Sequence, residues 1–284
     1  MQPTTHYLPM QAGQLRYLAY ENVKTRPIVL LHATGFGPWL WHPVARELAL
    51  RHRVIAPYFC GHRPVEARHG LAWPLLARDL IELCQTLGLE APVLVGHSMG
   101  ATVATLAAAA DDFTVSGLVL FEPIYLPRLA YTAESATQSH SLALKAGRRR
   151  SHWDDRVQAL EYFRTKPLFA NFDAEVLELY LEHGLRPSAR GGLELTCSPA
   201  EEAAQFMGSL ALDPWPLLER VGCPALIVEG GASENRSFMD YSTVAGHLPQ
   251  GRYHLIKAAG HLIPMEQPGL VTGLIQDFVA GLPA

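Results

Sequence analysis

The chain has little charge, and it lacks the signatures of several functional classes. Only 18% of its 284 residues are charged, and 23 Lys+Arg against 27 Asp+Glu leave a formal net charge of −4. That balance offers no basic surface for nucleic acid or for an anionic membrane. No apolar run approaches the ~20 residues that span a bilayer. The longest centres on Leu118 to Phe121. Met1 to Met10 has no basic start followed by an apolar stretch, so no signal peptide is expected and the cytoplasm is the expected location. The four cysteines, at 60, 84, 197 and 223, form no C-x-x-C pair. That excludes a zinc knuckle and a dithiol motif, and the four read as reduced, packed side chains. There is no H-E-x-x-H, phosphate loop or dinucleotide fingerprint, so neither a metal nor a cofactor is expected.

What the chain does have is apolar content, 49%, too high for disorder at this charge. Its length suits two domains or one large α/β domain with an insertion. Short apolar runs alternate with helical patterns. Gln14 to Tyr20, Pro27 to Leu31, Arg53 to Ala56, Val93 to Val95 and Leu118 to Phe121 read as strands. Between them Trp41 to Leu50 has helical spacing, and Leu75, Leu76, Leu80, Leu83 and Leu87 form one stripe that Gly88 ends. From about Pro123 to Leu212 the alternation gives way to helical patterns, including Arg156 to Phe163 and Ala174 to His183. Strands return at Ala225 to Val228 and Tyr253 to Ile256, and Leu270 to Val279 closes the chain as a helix. This predicts a mostly parallel sheet with helices on its faces and a helical insertion.

The most informative segment is Val93-Leu-Val-Gly-His-Ser-Met-Gly100. It places Gly-x-Ser-x-Gly between a buried strand and a helix. A nucleophile on such a turn sits in strained backbone, so the residues two before and two after it need to lack a side chain. The turn lifts the Ser98 hydroxyl above the sheet, beside a helix N-terminus that favours negative charge. A serine needs a base. His261, in Ala258-Ala-Gly-His-Leu-Ile-Pro264 after the last strand, is the candidate among 13 histidines. The base needs a carboxylate, and two follow strands: Glu234, just beyond Ala225 to Val228, and Glu122, just beyond Leu118 to Phe121. Glu234 is preferred and Glu122 is the alternative. Oxyanion donors are expected at the N–H of Met99 and at Thr34 in Leu31-His-Ala-Thr-Gly-Phe-Gly37.

With these residues together, the chain resembles the α/β-hydrolase superfamily over nearly its whole length, and within it the bacterial serine esterases. The resemblance rests on the loop from Leu31 to Gly37, on Gly96-His-Ser-Met-Gly100 and on Gly260-His-Leu-Ile-Pro-Met-Glu266. It implies a mostly parallel eight-stranded sheet with a helical cap after the sixth strand, with residues 1–122 and 213–284 as the core and 123–212 as the cap. It implies hydrolysis of a small carboxylic ester through an acyl-enzyme. C–C bond hydrolysis, cofactor-free haloperoxidase or perhydrolase chemistry, and non-hydrolytic ligand sensing are the alternatives. The acid position departs from the family's Gly-x-x-Asp: it reads Gly230-Gly-Ala-Ser-Glu234, which puts Glu234 one residue late and keeps Glu122 open. Ser98 at the elbow argues against relatives that use Asp there. Phe36, Trp39, Trp153 and Phe206 are candidates for a substrate pocket, and Arg148-Arg-Arg150 for holding an anionic group.

Overall fold

The structure, a computed structural model, describes residues 1–21, 26–65, 70–131 and 141–283. The chain opens with two antiparallel strands, β1 (Thr4–Met10) and β2 (Gly13–Tyr20). Then follow β3 (Ile28–Leu31), α1 (His42–Leu48), β4 (Val54–Pro57), α2 (Trp73–Thr86), β5 (Val93–His97), α3 (Met99–Ala108) and β6 (Gly117–Phe121). The next segment holds α4 (Ser141–Gly147), β7 (His152–Trp153), α5 (Arg156–Arg164), α6 (Ala174–His183), β8 (Leu185–Pro187), β9 (Leu193–Leu195) and α7 (Pro199–Gly208). The chain closes with α8 (Trp215–Leu218), β10 (Ala225–Gly230), α9 (Tyr241–His247), β11 (Gly251–Ile256), α10 (Ile263–Glu266) and α11 (Pro268–Ala280).

Eight strands form one sheet in the order β1-β2-β4-β3-β5-β6-β10-β11. From β4 to β11 all neighbours are parallel, while β1 and β2 run antiparallel at one edge. The inner parallel strands β3, β4, β5, β6 and β10 are buried and mostly apolar because both their faces are covered, whereas the edge strand β11 is largely exposed. Val29, Leu31, Leu94, Leu118, Leu120 and Ile227 pack with α2, α3 and α9 on one side. Ile28, Leu30, Val93, Val95, Val119, Phe121 and Val228 pack with α1 and α11 on the other. This alternation is the two-residue period of a strand read through its two buried faces.

Two features were not anticipated. Thr4–Met10 is mostly exposed, so no apolar pattern announced β1. The segment after β6 also contains a three-stranded antiparallel sheet, β7-β9-β8, whose strands have three residues or fewer. Such short pairings leave no hydrophobic period to read. That segment has its own apolar cluster, with Trp153, Phe163, Phe169, Val176 and Tyr180. The cluster reaches the core through Leu40, Leu262 and Met265.

Candidate active site

Ser98 sits at the β5–α3 junction with φ 53° and ψ −115°, a backbone state costly for any residue with a Cβ. Its N–H is held by the Phe121 carbonyl at 2.9 Å. A side chain at Gly96 would collide with the backbone of Ala101, and one at Gly100 with the Leu31 carbonyl. The glycines that frame Ser98 are therefore required by close approach: α3 folds straight back over β5 and presses on the loop after β3. Met99 opens α3, where the first N–H groups have no carbonyl one turn earlier to bond.

The loop after β3 is fastened at both ends. His32 donates from Nδ1 to the Ala33 carbonyl (2.8 Å) and accepts at Nε2 from the Phe59 N–H (2.9 Å). That bonding pattern needs a neutral ring. Burial lowers the His32 pKa to about 4, against the opposing pull of its bond to Ala33. Gly35 donates its N–H to Gln205 Oε1 at 2.9 Å, and Phe36 donates to Ala33 at 3.2 Å. Thr34, buried between them, has no hydrogen-bond partner for its N–H among the described residues.

His261 lies between β11 and α10. His97, the last residue of β5, donates from Nε2 to the His261 carbonyl at 2.9 Å, and the two rings lie 5.0 Å apart. This bond ties the histidine loop to the turn that carries Ser98. The carboxylate at His261 is that of Glu122: Oε2 stands 3.2 Å from Nδ1. Glu122 follows β6 directly, has φ 49° and is wholly buried. Four more donors converge on it. Gly230 N–H reaches Oε1 at 2.7 Å, while Ser233 Oγ (2.7 Å), Tyr241 OH (3.1 Å) and Asn235 Nδ2 (3.2 Å) reach Oε2. Burial and the Glu122 charge both raise the Tyr241 pKa, so its hydroxyl stays a donor.

Glu234, the acid preferred from the sequence, is corrected by this geometry. It begins a 3₁₀ turn, Glu234–Ser237, is itself exposed, and no hydrogen bond or ion pair joins it to His261. Its neighbours Ser233 and Asn235 turn inward instead, and Asn235 Nδ2 also lies 3.0 Å from His261 Nδ1. The loop that bears an acid in the family motif here bears donors, and the charge comes from β6. The sequence signal for this was the one-residue misfit of Glu234 together with a carboxylate placed directly at a strand end.

The other candidates divide. Phe36 is half-buried and faces Phe172 and Tyr180, with ring centroids at 6.2 and 5.8 Å. Trp39 stacks on His183 at 3.7 Å. Phe206 is half-buried on α7, next to Gln205. Trp153 is corrected: it is fully buried against Phe163 and Tyr162, a core residue of its segment rather than a pocket wall. The three arginines part company. Arg148 is exposed, Arg150 donates to the His152 carbonyl, and Arg149 is partly buried in an ion pair with Glu202 and a 3.0 Å bond to Tyr180 OH.

The cysteines are a further correction. Cys60 and Cys197 are joined in a disulfide across 137 residues of chain, and only Cys84 and Cys223 are free. Wide sequence separation and the absence of a paired motif hid that bond. Burial pushes the two free thiols up, Cys84 to about 12 and Cys223 to about 11, which leaves both poor nucleophiles. Among the described residues one group of side chains has metal-ligand types in reach of one another, Cys60, Cys197 and Glu201, but the disulfide occupies both sulfurs. No helix among the described residues is long and apolar enough to cross a membrane.

Comparison with known proteins agrees with this architecture. The chain is 23% identical over 269 residues to (E)-2-((N-methylformamido)methylene)succinate hydrolase of Acinetobacter baylyi, covering 93% of this chain and 94% of that protein. It is 27% identical over 279 residues to BpoC of Mycobacterium tuberculosis, whose name proposes a non-heme bromoperoxidase, covering 94% and 99%. Among solved structures, E-2-(acetamidomethylene)succinate hydrolase superposes with a TM-score of 0.82 at 21% identity, over 99% of this chain and 100% of that one. The alpha/beta hydrolase family model matches residues 28–273, and with its eight-stranded sheet and strand–Ser98–helix turn the chain belongs to that family.

Proposed function

We propose that the protein is a serine hydrolase of small carboxylic esters, with Ser98 as nucleophile, His261 as base and Glu122 as the residue that orients the base. The observation that carries this reading is the 3.2 Å contact between Glu122 Oε2 and His261 Nδ1, in a loop bonded to the residue before Ser98. A carboxylate at Nδ1 selects the tautomer whose Nε2 is free to take a proton, and it stabilises the imidazolium that forms. Ser98 Oγ then attacks the ester carbonyl carbon as its proton passes to His261. The N–H groups of Thr34 and Met99 receive the negative oxygen. His261 returns the proton to the departing alcohol, and a water activated by the same nitrogen releases the acid.

The segment from 123 to 212 is proposed as the cap of this site. What supports that role is the contact of α7 with the loop after β3, through Gln205 at Gly35, and the packing of Phe36 on Phe172 and Tyr180. A cap in that place excludes water and sets the size of the acyl group. Similarity to BpoC favours a second reading, in which hydrogen peroxide replaces water at the acyl-enzyme and a peracid is released.

The test is turnover of p-nitrophenyl esters of increasing acyl length, with and without peroxide, by the wild type and Ser98→Ala. The proposal expects ester hydrolysis that Ser98→Ala abolishes and faster release than peracid formation. Equal turnover by Ser98→Ala contradicts it.

A further inference from the structure

The strand of chain that offers Thr34 is held by a closed circuit of buried bonds. Phe59 N–H bonds His32 on one side of Thr34, and the Phe59 carbonyl accepts from Gln205 Nε2 at 2.6 Å. Gln205 Oε1 in turn accepts the N–H of Gly35 on the other side. Gln205 is wholly buried, so both ends of its amide are satisfied only by this arrangement. It stands on α7, outside the residues that define the triad. The helix is docked by Leu71 N–H on the Ala204 carbonyl (2.8 Å) and Trp73 Nε1 on the Gln205 carbonyl (2.8 Å). Glu202, one turn earlier, fills the space at Gly35 so fully that a Cβ there would lie 2.6 Å from its carboxyl carbon.

The disulfide enters at this point. Cys60 follows Phe59, and Cys197 precedes Ser198, the N-cap of α7. One covalent bond therefore joins the two pieces of chain that Gln205 bridges, next to the bridge itself. Hydrogen bonds set where α7 can lie, and among the described residues this disulfide is the one covalent link between its start and the loop after Phe59.

We propose that Gln205 is a positioning residue for the oxyanion loop and that the Cys60–Cys197 disulfide holds it in register, so that reduction of this bond lowers turnover at Ser98. The proposal rests on the serine-hydrolase reading given above. The chemistry needs a dithiol reductant. Its thiolate attacks Sγ of Cys60, the less buried of the two residues, and the Cys60–Cys197 bond breaks as Cys197 leaves as a thiolate and takes a proton. The reductant's second thiolate then displaces Cys60 from the mixed disulfide. Two electrons and two protons move to the protein, and the reductant ends as its own disulfide. With the tie cut, the start of α7 can shift, and Gly35 and Thr34 shift with Gln205. The transition state is affected more than the bound ester, because an oxyanion depends more steeply on donor placement than a carbonyl does.

The experiment measures kcat and KM for p-nitrophenyl acetate in the oxidised protein, in protein treated with dithiothreitol, in Cys60→Ser/Cys197→Ser and in Gln205→Met, which keeps volume but neither hydrogen bond. Thiols are counted in each sample. Loss of one oxyanion donor typically costs on the order of 10²–10³ in kcat, so Gln205→Met is expected to lose roughly 100-fold and the reduced or serine forms roughly tenfold. KM is expected to stay within about twofold, while affinity for a trifluoromethyl ketone falls with kcat, a split that mere loosening of the fold does not produce. In Gln205→Met, reduction is expected to cost nothing further. Unchanged kcat in the fully reduced protein, or in the serine double variant, overturns the role of the disulfide. Wild-type kcat in Gln205→Met overturns the role of Gln205. If the oxidised protein is not labelled at Ser98 by a fluorophosphonate, the serine-hydrolase reading fails first, and a reduction-insensitive label rate at Ser98 fails only the present proposal.

Discussion

Replacing Glu122 by Gln changes one atom in a group whose surroundings are all donors. The carboxylate accepts from Gly230 N–H, Ser233 Oγ, Tyr241 OH, Asn235 Nδ2 and His261 Nδ1. An amide has one oxygen to offer. Placed toward Gly230, that oxygen leaves the amide NH₂ facing Asn235 and His261. Placed toward His261, it leaves NH₂ against the Gly230 N–H. In the first orientation the new NH₂ donates to His261 Nδ1, which forces the proton onto Nε2, the atom that must accept from Ser98. Loss of the orienting carboxylate with geometry intact costs on the order of 10⁴ in kcat, or about 5 kcal/mol in transition-state stabilisation. Each buried donor left unpaired adds about 1–3 kcal/mol of lost stability. The assay is kcat for p-nitrophenyl acetate at neutral pH, with near-ultraviolet circular dichroism to confirm folding and Glu234→Gln in parallel. Glu234 is exposed, so its variant is expected to keep wild-type turnover. A folded Glu122→Gln that loses less than tenfold, or a Glu234→Gln that loses more, refutes the assignment.

Ser98→Gly relieves a backbone state worth roughly 1–3 kcal/mol of strain, so it is expected to raise the melting temperature while turnover vanishes; a fall in melting temperature contradicts strain at this turn. Trp153→Ala is expected to cost about 3–5 kcal/mol in urea unfolding, with little change in acyl-chain preference, whereas Phe36→Ala is expected to shift preference toward longer acyl chains; the reverse pattern contradicts the placements of these rings. His32 has its pKa depressed to about 4 when folded, against 6.5 in an unfolded chain. Between pH 6.5 and 4 the unfolded chain therefore binds the extra proton, and stability falls as pH falls through that window by about 3 kcal/mol from this residue, levelling below pH 4. His97, lowered well below 6.5 by burial, acts in the same direction. Unfolding midpoints at pH 8, 6 and 5 check this, and a His32→Gln variant with the same slope as the wild type contradicts it.

The inner strands of the sheet were legible because they are buried on both faces and bounded by turns, and the Ser98 elbow because sterics at Gly96 and Gly100 leave few residues that fit. His261, singled out by its place after the last strand, sits beside a buried carboxylate. Which carboxylate meets His261 was not legible, because that depends on which loop curls inward. Ser233 and Asn235 point at Glu122 while Glu234 between them points out, and adjacent residues in a turn carry no periodic signal for this. Trp153 illustrates a related limit: an aromatic in an insertion reads the same whether it lines a pocket or fills the insertion's own core. Cys60–Cys197 and Gln205 act across 137 and 170 residues of sequence, where only the folded chain brings the partners together.

The central claim is that Ser98 is activated by His261 and that Glu122 orients His261. It is tested most directly by mass spectrometry of the protein after brief exposure to a fluorophosphonate, in the wild type, Ser98→Ala, His261→Ala and Glu122→Gln. The account predicts a single adduct on the peptide containing Ser98 in the wild type, none in Ser98→Ala, and labelling slowed by several orders of magnitude in the other two. An adduct on a different residue, or labelling of Ser98 at the wild-type rate without His261 or Glu122, contradicts it.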